Sequence, residues 1–149
     1  GFDVMTGAGG GIMEAANSGA GCEASIGLNV DLPFEQHANR FVSSCDGRLL
    51  HFRYFFTRKL FFLRESDALV VMPGGFGTLD ELFESLTLIQ TGRMKRVPFL
   101  LFGRAFWERV INWQALAEAG TISASDLDLF TFVETAEEAM AAIDGWPLA

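Results

Sequence analysis

The stretch Ala68-Leu-Val-Val-Met-Pro-Gly-Gly-Phe-Gly-Thr-Leu-Asp-Glu81 decides the reading of the fold. Its first five residues form an unbroken apolar run with the length and composition of a strand buried on both faces. The run stops at Pro73 and a glycine turn. An amphipathic helical pattern follows from Thr78 to Thr91, with Leu79, Leu82, Phe83, Leu86 and Ile89 on its apolar side. Strand, tight turn and helix in that order open a βαβ unit.

The same alternation continues outward in both directions. Upstream, Phe2 to Thr6 predicts a strand, Gly7 to Gly11 a loop, Ile12 to Gly19 a helix and Ser25 to Val30 a second strand. Asp31 to Asn39, with Pro33, reads as a loop, Phe41 to Ser44 as a short strand, and Leu49 to Glu65 as one long helix. Downstream, Pro98 to Phe102 is a strand, Ala105 to Ala119 a helix, Leu129 to Val133 a last strand and Thr135 to Ile143 a closing helix. The class this predicts is α/β, a Rossmann-like three-layer sandwich on a mostly parallel sheet. With 149 residues, half of them apolar, the chain suits a single domain over 1–149. It opens on Gly1-Phe-Asp-Val-Met-Thr6 directly into a glycine cluster, so the expectation is a fragment whose first strand and helix precede Gly1.

Composition narrows the partners. A formal net charge of -8 would repel a polyanionic backbone, which argues against nucleic acid. It leaves room for a small phosphorylated ligand, because a few local donors can hold one phosphate against a negative global field. No apolar run approaches the roughly 18 to 20 residues that span a bilayer, so no membrane partner is expected. Cys22 and Cys45 stand in unlike settings without CxxC or His-rich spacing, which suggests two idle thiols of a reducing cytoplasm rather than a disulfide or a zinc site.

The glycine turn admits two readings. Gly74, Gly75, Gly77 and Thr78 have the design of an anion cradle, in which bare backbone and a helix N-terminus approach a phosphate. Equally, Thr78-Leu-Asp-Glu81 has the spacing of a capping box that merely starts a helix. The loop lacks the Lys-Ser/Thr of a Walker motif and the spacing of GxGxxG. Gly7-Ala-Gly-Gly-Gly11 is placed between strand and helix in the same way, and two such loops opening on one crevice would make a binding cleft. Within the expected helix 49–65, Leu49, Phe52, Phe56, Leu60 and Leu63 form an apolar arc that includes Lys59, whereas Arg58 falls on the side periodicity assigns to solvent. Asp80 and Glu84 also read as solvated.

Pro73-Gly-Gly-Phe-Gly-Thr-Leu-Asp-Glu81 is similar to the PGGxGTxxE signature of the Lonely Guy family of nucleotide-handling Rossmann-like proteins, and Thr57-Arg58-Lys59 stands where that family carries its Arg-Lys pair. The resemblance runs on through Thr6 to Ala20, Leu32 to Asn39 and Leu86 to Gly92, reaching about Trp113. It looks like the longer bacterial branch, many of whose members carry the label "possible lysine decarboxylase". One departure lies in the first loop, where the family usually shows Gly-Gly-Pro-Gly; Ala8 replaces its first glycine and Gly10 its proline.

The resemblance implies a phosphoribohydrolase that cuts the base from a purine nucleoside 5'-monophosphate, either AMP or an N6-modified adenine nucleotide of the cytokinin kind. It implies that Gly74, Gly75, Gly77 and Thr78 hold the 5'-phosphate, that Arg58 and Glu81 are catalytic, and that Lys59 helps bind the nucleotide. Gly9 and Glu14, at the first loop, are further ligand candidates. No metal or organic cofactor is called for, and a homodimer or higher homo-oligomer is implied. A decarboxylase would need a dedicated pyridoxal-binding lysine, and only Lys59 and Lys95 exist. The standing rival is a nucleotide sensor or carrier that binds without turnover.

Overall fold

The computed structural model describes residues 1–30 and 37–147, so most of the loop expected over Asp31 to Asn39 lies outside the described residues. The chain forms two compact units, residues 1–66 and 67–149. The α/β, Rossmann-like class expected from the sequence is what the structure shows: two three-stranded parallel sheets, one in each unit, with helices connecting the strands.

The first unit runs β1 (Val4–Thr6), α1 (Ile12–Ala24), β2 (Ser25–Val30), α2 (Arg40–Ser43), β3 (Leu49–Phe52) and α3 (Phe55–Arg64), with the sheet ordered β1-β2-β3. Gly21, at φ 75°, breaks the helical path inside α1. Two expectations are corrected here. Phe41 to Ser44 is helical, because Asn39 caps that turn by accepting the Phe41 N–H. The helix expected from Leu49 begins only at Phe55, because Leu49–Phe52 pairs with β2, with Gly27 opposite Leu49 and Val30 opposite Phe52. Four residues, Leu49-Leu-His-Phe52, are too few to carry a period that separates strand from helix. The expected apolar arc is therefore broken up: Leu63 is buried, but Phe56 and Leu60 are 68% and 63% exposed.

Cys22, on α1, and Cys45, just after α2, form a disulfide, with Cα atoms 5.7 Å apart. This overturns the expectation of two idle thiols. Packing of α2 on α1 brings together cysteines 23 residues apart, a proximity that spacing alone does not reveal.

Gly27 is the tightly enclosed glycine of this sheet. A Cβ built there would lie 2.9 Å from Leu49 Cδ1, 3.0 Å from Val42 Cγ2 and 3.1 Å from Ala8 Cβ. Three walls from three different elements leave no common direction of relief. Gly27→Ala is expected to destabilise the protein by about 1–3 kcal/mol, seen as a lower urea midpoint at an unchanged slope. An unmoved midpoint would show that these walls yield freely.

The second unit runs β4 (Leu69–Val71), α4 (Phe76–Gln90), β5 (Phe99–Phe102), α5 (Arg104–Val110), α6 (Trp113–Glu118), a 3-10 turn (Ala124–Leu129), β6 (Thr131–Val133) and α7 (Ala136–Asp144), with the sheet ordered β4-β5-β6. Alternation along β5 builds the layers. Phe99 and Leu101 join Leu82, Ile89, Trp107 and Trp113 on one face, while Leu100 packs with Val133 and Ala139 on the other. Trp107, fully buried, donates its indole N–H to the Phe102 carbonyl at 2.9 Å, so its polar atom is satisfied inside the core. The helix expected over Ala105 to Ala119 is two helices, since Asn112 starts α6 afresh by accepting the Ala115 N–H. No helix among the described residues is long and apolar enough to cross a membrane.

Candidate functional site

In the second unit the glycine turn connects β4 to α4 as expected. The capping-box reading of Thr78 and Glu81 is corrected: α4 starts at Phe76, its N-cap is Gly75 in an extended conformation, and no side chain caps it. Gly75 has nothing to offer the first amides, and a helix start leaves about four N–H groups without partners inside the helix. Thr78 serves another purpose. A Cβ on Gly74 would run into Thr78 Oγ1 and would lie 2.8 Å from Thr78 Cβ, so the threonine packs over the bare backbone of Gly74. The turn thus brings a hydroxyl, exposed glycine backbone and a helix N-terminus to the carboxyl end of β4.

Glu81, half-buried, follows one turn into α4. Of its neighbours Asp80 is exposed as expected, whereas Glu84 is half-buried rather than solvated. Amphipathic spacing misplaced Glu84 because Phe83, assigned to the buried side, is itself 41% exposed.

In the first unit the loop Gly7 to Gly11 leads into α1, whose N-cap Gly11 sits at φ 69° and makes no side-chain cap either. Arg58 does not lie on an open solvated face as its periodicity suggests. It is half-buried, with its guanidinium carbon 5.3 Å from the Phe55 ring centre and 5.9 Å from that of Phe62. A Cβ at Gly7 would come within 3.4 Å of Arg58 Nη1 and 3.1 Å of Met13 Sδ. The absence of a side chain at Gly7 therefore makes room for the guanidinium beside the first loop. Lys59 is half-buried on the same helix.

Gly9 offers its carbonyl to Asn39 Nδ2 at 3.1 Å. Glu14 lies in the first turn of α1 and pairs with Arg40 at 3.9 Å across exposed surface, a contact that contributes little to stability. The residue that sequence reasoning missed is Asn39, together with Thr6 and Asn17, which share its buried hydrogen bonds. A local signal existed, since an Asn ahead of Arg-Phe-Val is an N-cap candidate. Its link to a loop 30 residues upstream left no trace in the spacing.

A family described as possible lysine decarboxylase matches residues 10–143, and the chain belongs to that family. It is 33% identical over 88 residues to the probable cytokinin riboside 5'-monophosphate phosphoribohydrolase of Oryza sativa subsp. japonica, covering 58% of this chain and 42% of that protein. Identity to the bifunctional cytokinin biosynthesis protein of Fusarium pseudograminearum is 29% over 119 residues, 75% of this chain and 24% of the relative. The cytokinin riboside 5'-monophosphate phosphoribohydrolase of Mycobacterium tuberculosis is 29% identical over 86 residues, 57% of this chain and 46% of its own length. The chain spans less than half the length of each of these curated relatives. The Lonely Guy resemblance drawn from Pro73 to Glu81 and from Arg58-Lys59 is borne out at the level of the family.

Proposed function

We propose that the protein hydrolyses the N-glycosidic bond of a purine nucleoside 5'-monophosphate, releasing the free base and ribose 5-phosphate. The observation that carries this reading is the start of α4, a helix without a side-chain cap, opened by Gly74 to Thr78, with the half-buried Glu81 one turn behind it. Amides and a hydroxyl suit the 5'-phosphate, and a carboxylate one turn further suits the sugar next to it. The names of the relatives support the same activity.

Breaking the bond passes through an oxocarbenium-like state, in which positive charge grows on the ribose as the base departs with the bonding electrons. Glu81 stabilises that charge and takes a proton from water as the water oxygen bonds to C1' and the C1'–N bond breaks; the leaving nitrogen takes a proton from solvent, and Glu81 returns its own to solvent, which closes the balance. Arg58 anchors the substrate and offsets the charge developing on the leaving side. Gly74, Gly75, Gly77 and Thr78 hold the phosphate, and Lys59, Gly9 and Glu14 are assigned as further contacts to the nucleotide. The base we favour is adenine or an N6-modified adenine of the cytokinin kind. A homo-oligomer belongs to the proposal, supported by exposed apolar side chains such as Phe56 and Leu60 on α3 and Phe76, 92% exposed, on α4. So does one domain over the whole chain. We place the reaction in the cytoplasm, where phosphorylated nucleosides are retained because their charge bars them from apolar membranes; the Cys22–Cys45 disulfide, uncommon in a reducing compartment, runs against this placement.

The family's decarboxylase label finds little support in its lysines. Lys95 lies at the surface in a 3.3 Å pair with Asp67, which leaves only Lys59 for a Schiff base. Incubating the protein with AMP and with N6-isopentenyl-AMP, and following base and ribose 5-phosphate by chromatography, tests the proposal. Release of both products in equal amounts is the expected result. Nucleotide binding without release would replace the enzyme with a sensor or carrier.

A further inference from the structure

We infer that Asn39 is a positioning residue for this reaction: it fixes the peptide planes of the first glycine loop so that the Gly9 and Gly10 amides are presented to the nucleotide. The inference rests on the hydrolase reading and adds to it a residue that touches no substrate.

The geometry starts with two carbonyls. The Asn39 backbone N–H donates to the Ala8 carbonyl at 2.7 Å, and Asn39 Nδ2 donates to the Gly9 carbonyl at 3.1 Å. No peptide bond among the described residues is cis. In a planar trans peptide the C=O of one residue and the N–H of the next point in opposite directions. Holding the Ala8 and Gly9 carbonyls toward Asn39 therefore turns the Gly9 and Gly10 N–H groups away from it; Gly10 is exposed, while Gly9 is buried. Two successive amides facing one way is the arrangement that receives an anionic oxygen.

The latch is built at some expense. Ala8 is held at φ 61°, a left-handed conformation that a residue with a Cβ seldom adopts, and its N–H is accepted by Thr6 Oγ1 at 3.1 Å. Thr6 donates in turn to Asn17 Oδ1 at 2.7 Å, and Asn39 Nδ2 reaches the same oxygen at 3.0 Å. Two donors converging on Oδ1 settle the orientation of the Asn17 amide, whose Nδ2 is buried with no acceptor among the described residues. Setting the loop's conformation is the return on that cost.

Asn39→Asp keeps the Oδ1 that caps α2 and the backbone N–H to Ala8, and replaces the Nδ2 donor with an anionic oxygen that the Gly9 carbonyl repels. With AMP as substrate it is expected to raise KM by about tenfold or more, the loss of a charge-assisted hydrogen bond, with kcat changed by less than about threefold. A residue that only stabilised the fold would lower the melting temperature and leave the KM of the folded enzyme alone. Where Asn39→Asp fails to fold, the near-isosteric Thr6→Val releases the Ala8 N–H with Asn39 in place, and a rise in KM is again expected. Unchanged KM in a folded variant overturns the inference and leaves the hydrolase reading standing. Wild-type protein that neither binds nor cleaves AMP or its N6-isopentenyl form overturns both.

Discussion

Glu81→Gln is expected to lower kcat for release of base from AMP by at least about a hundredfold, with nucleotide affinity within about threefold of wild type. The substitution keeps the shape of the side chain and one oxygen, so it leaves intact the burial of Leu82 and Ile89 that seats α4 on β5. It removes the negative charge that the ribose needs as its glycosidic bond stretches, and the basic oxygen that takes the proton from water. Both losses fall on the transition state and neither on the ground state, so the effect belongs in kcat rather than in KM. Equal losses of kcat and affinity would mean that Glu81 holds the substrate rather than acting on it. Undiminished turnover would remove Glu81 from the mechanism and turn attention to Glu84, the other half-buried carboxylate of the helix.

What the sequence conveyed, and what it did not, follows from the range of the interactions. The strands Val4–Thr6, Ser25–Val30, Leu69–Val71, Phe99–Phe102 and Thr131–Val133 all coincide with strands expected from the sequence, because short stretches rich in apolar residues between turns and helical patterns advertise themselves locally. The helix start at the glycine turn was legible to within two residues. Leu49–Phe52 was not, since its strand state is conferred by pairing with Gly27 to Val30, and the Phe-rich run after it simulates a continuous helix. The same long-range dependence hid the disulfide and the Asn39 latch. Of the candidate site, Gly74 to Glu81 was visible as a motif, and its motif reading carried the family. Arg58 was visible only through the resemblance: its own periodicity pointed to solvent, and its half-burial comes from rings at Phe55 and Phe62 and from the missing side chain of Gly7.

That setting makes Arg58 the second decisive position. Arg58→Lys is expected to reduce kcat/KM for AMP by about tenfold or more, and Arg58→Met by about a hundredfold. The guanidinium lies over two aromatic rings and beside Gly7, an arrangement that suits a flat, delocalised cation and positions its N–H fork without further ordering. Lysine retains the charge and most of the stem but delivers a compact ammonium with no plane to stack and no pair of parallel donors. Methionine fills the space between the rings and supplies neither. The ring contacts are together worth only about 1–2 kcal/mol, so both variants are expected to fold, with melting temperatures lowered by a few degrees. Full activity in Arg58→Lys would show that only the charge matters at this position. Full activity in Arg58→Met would show that Arg58 braces the Phe55–Phe62 face of α3 and has no part in cleaving the nucleotide.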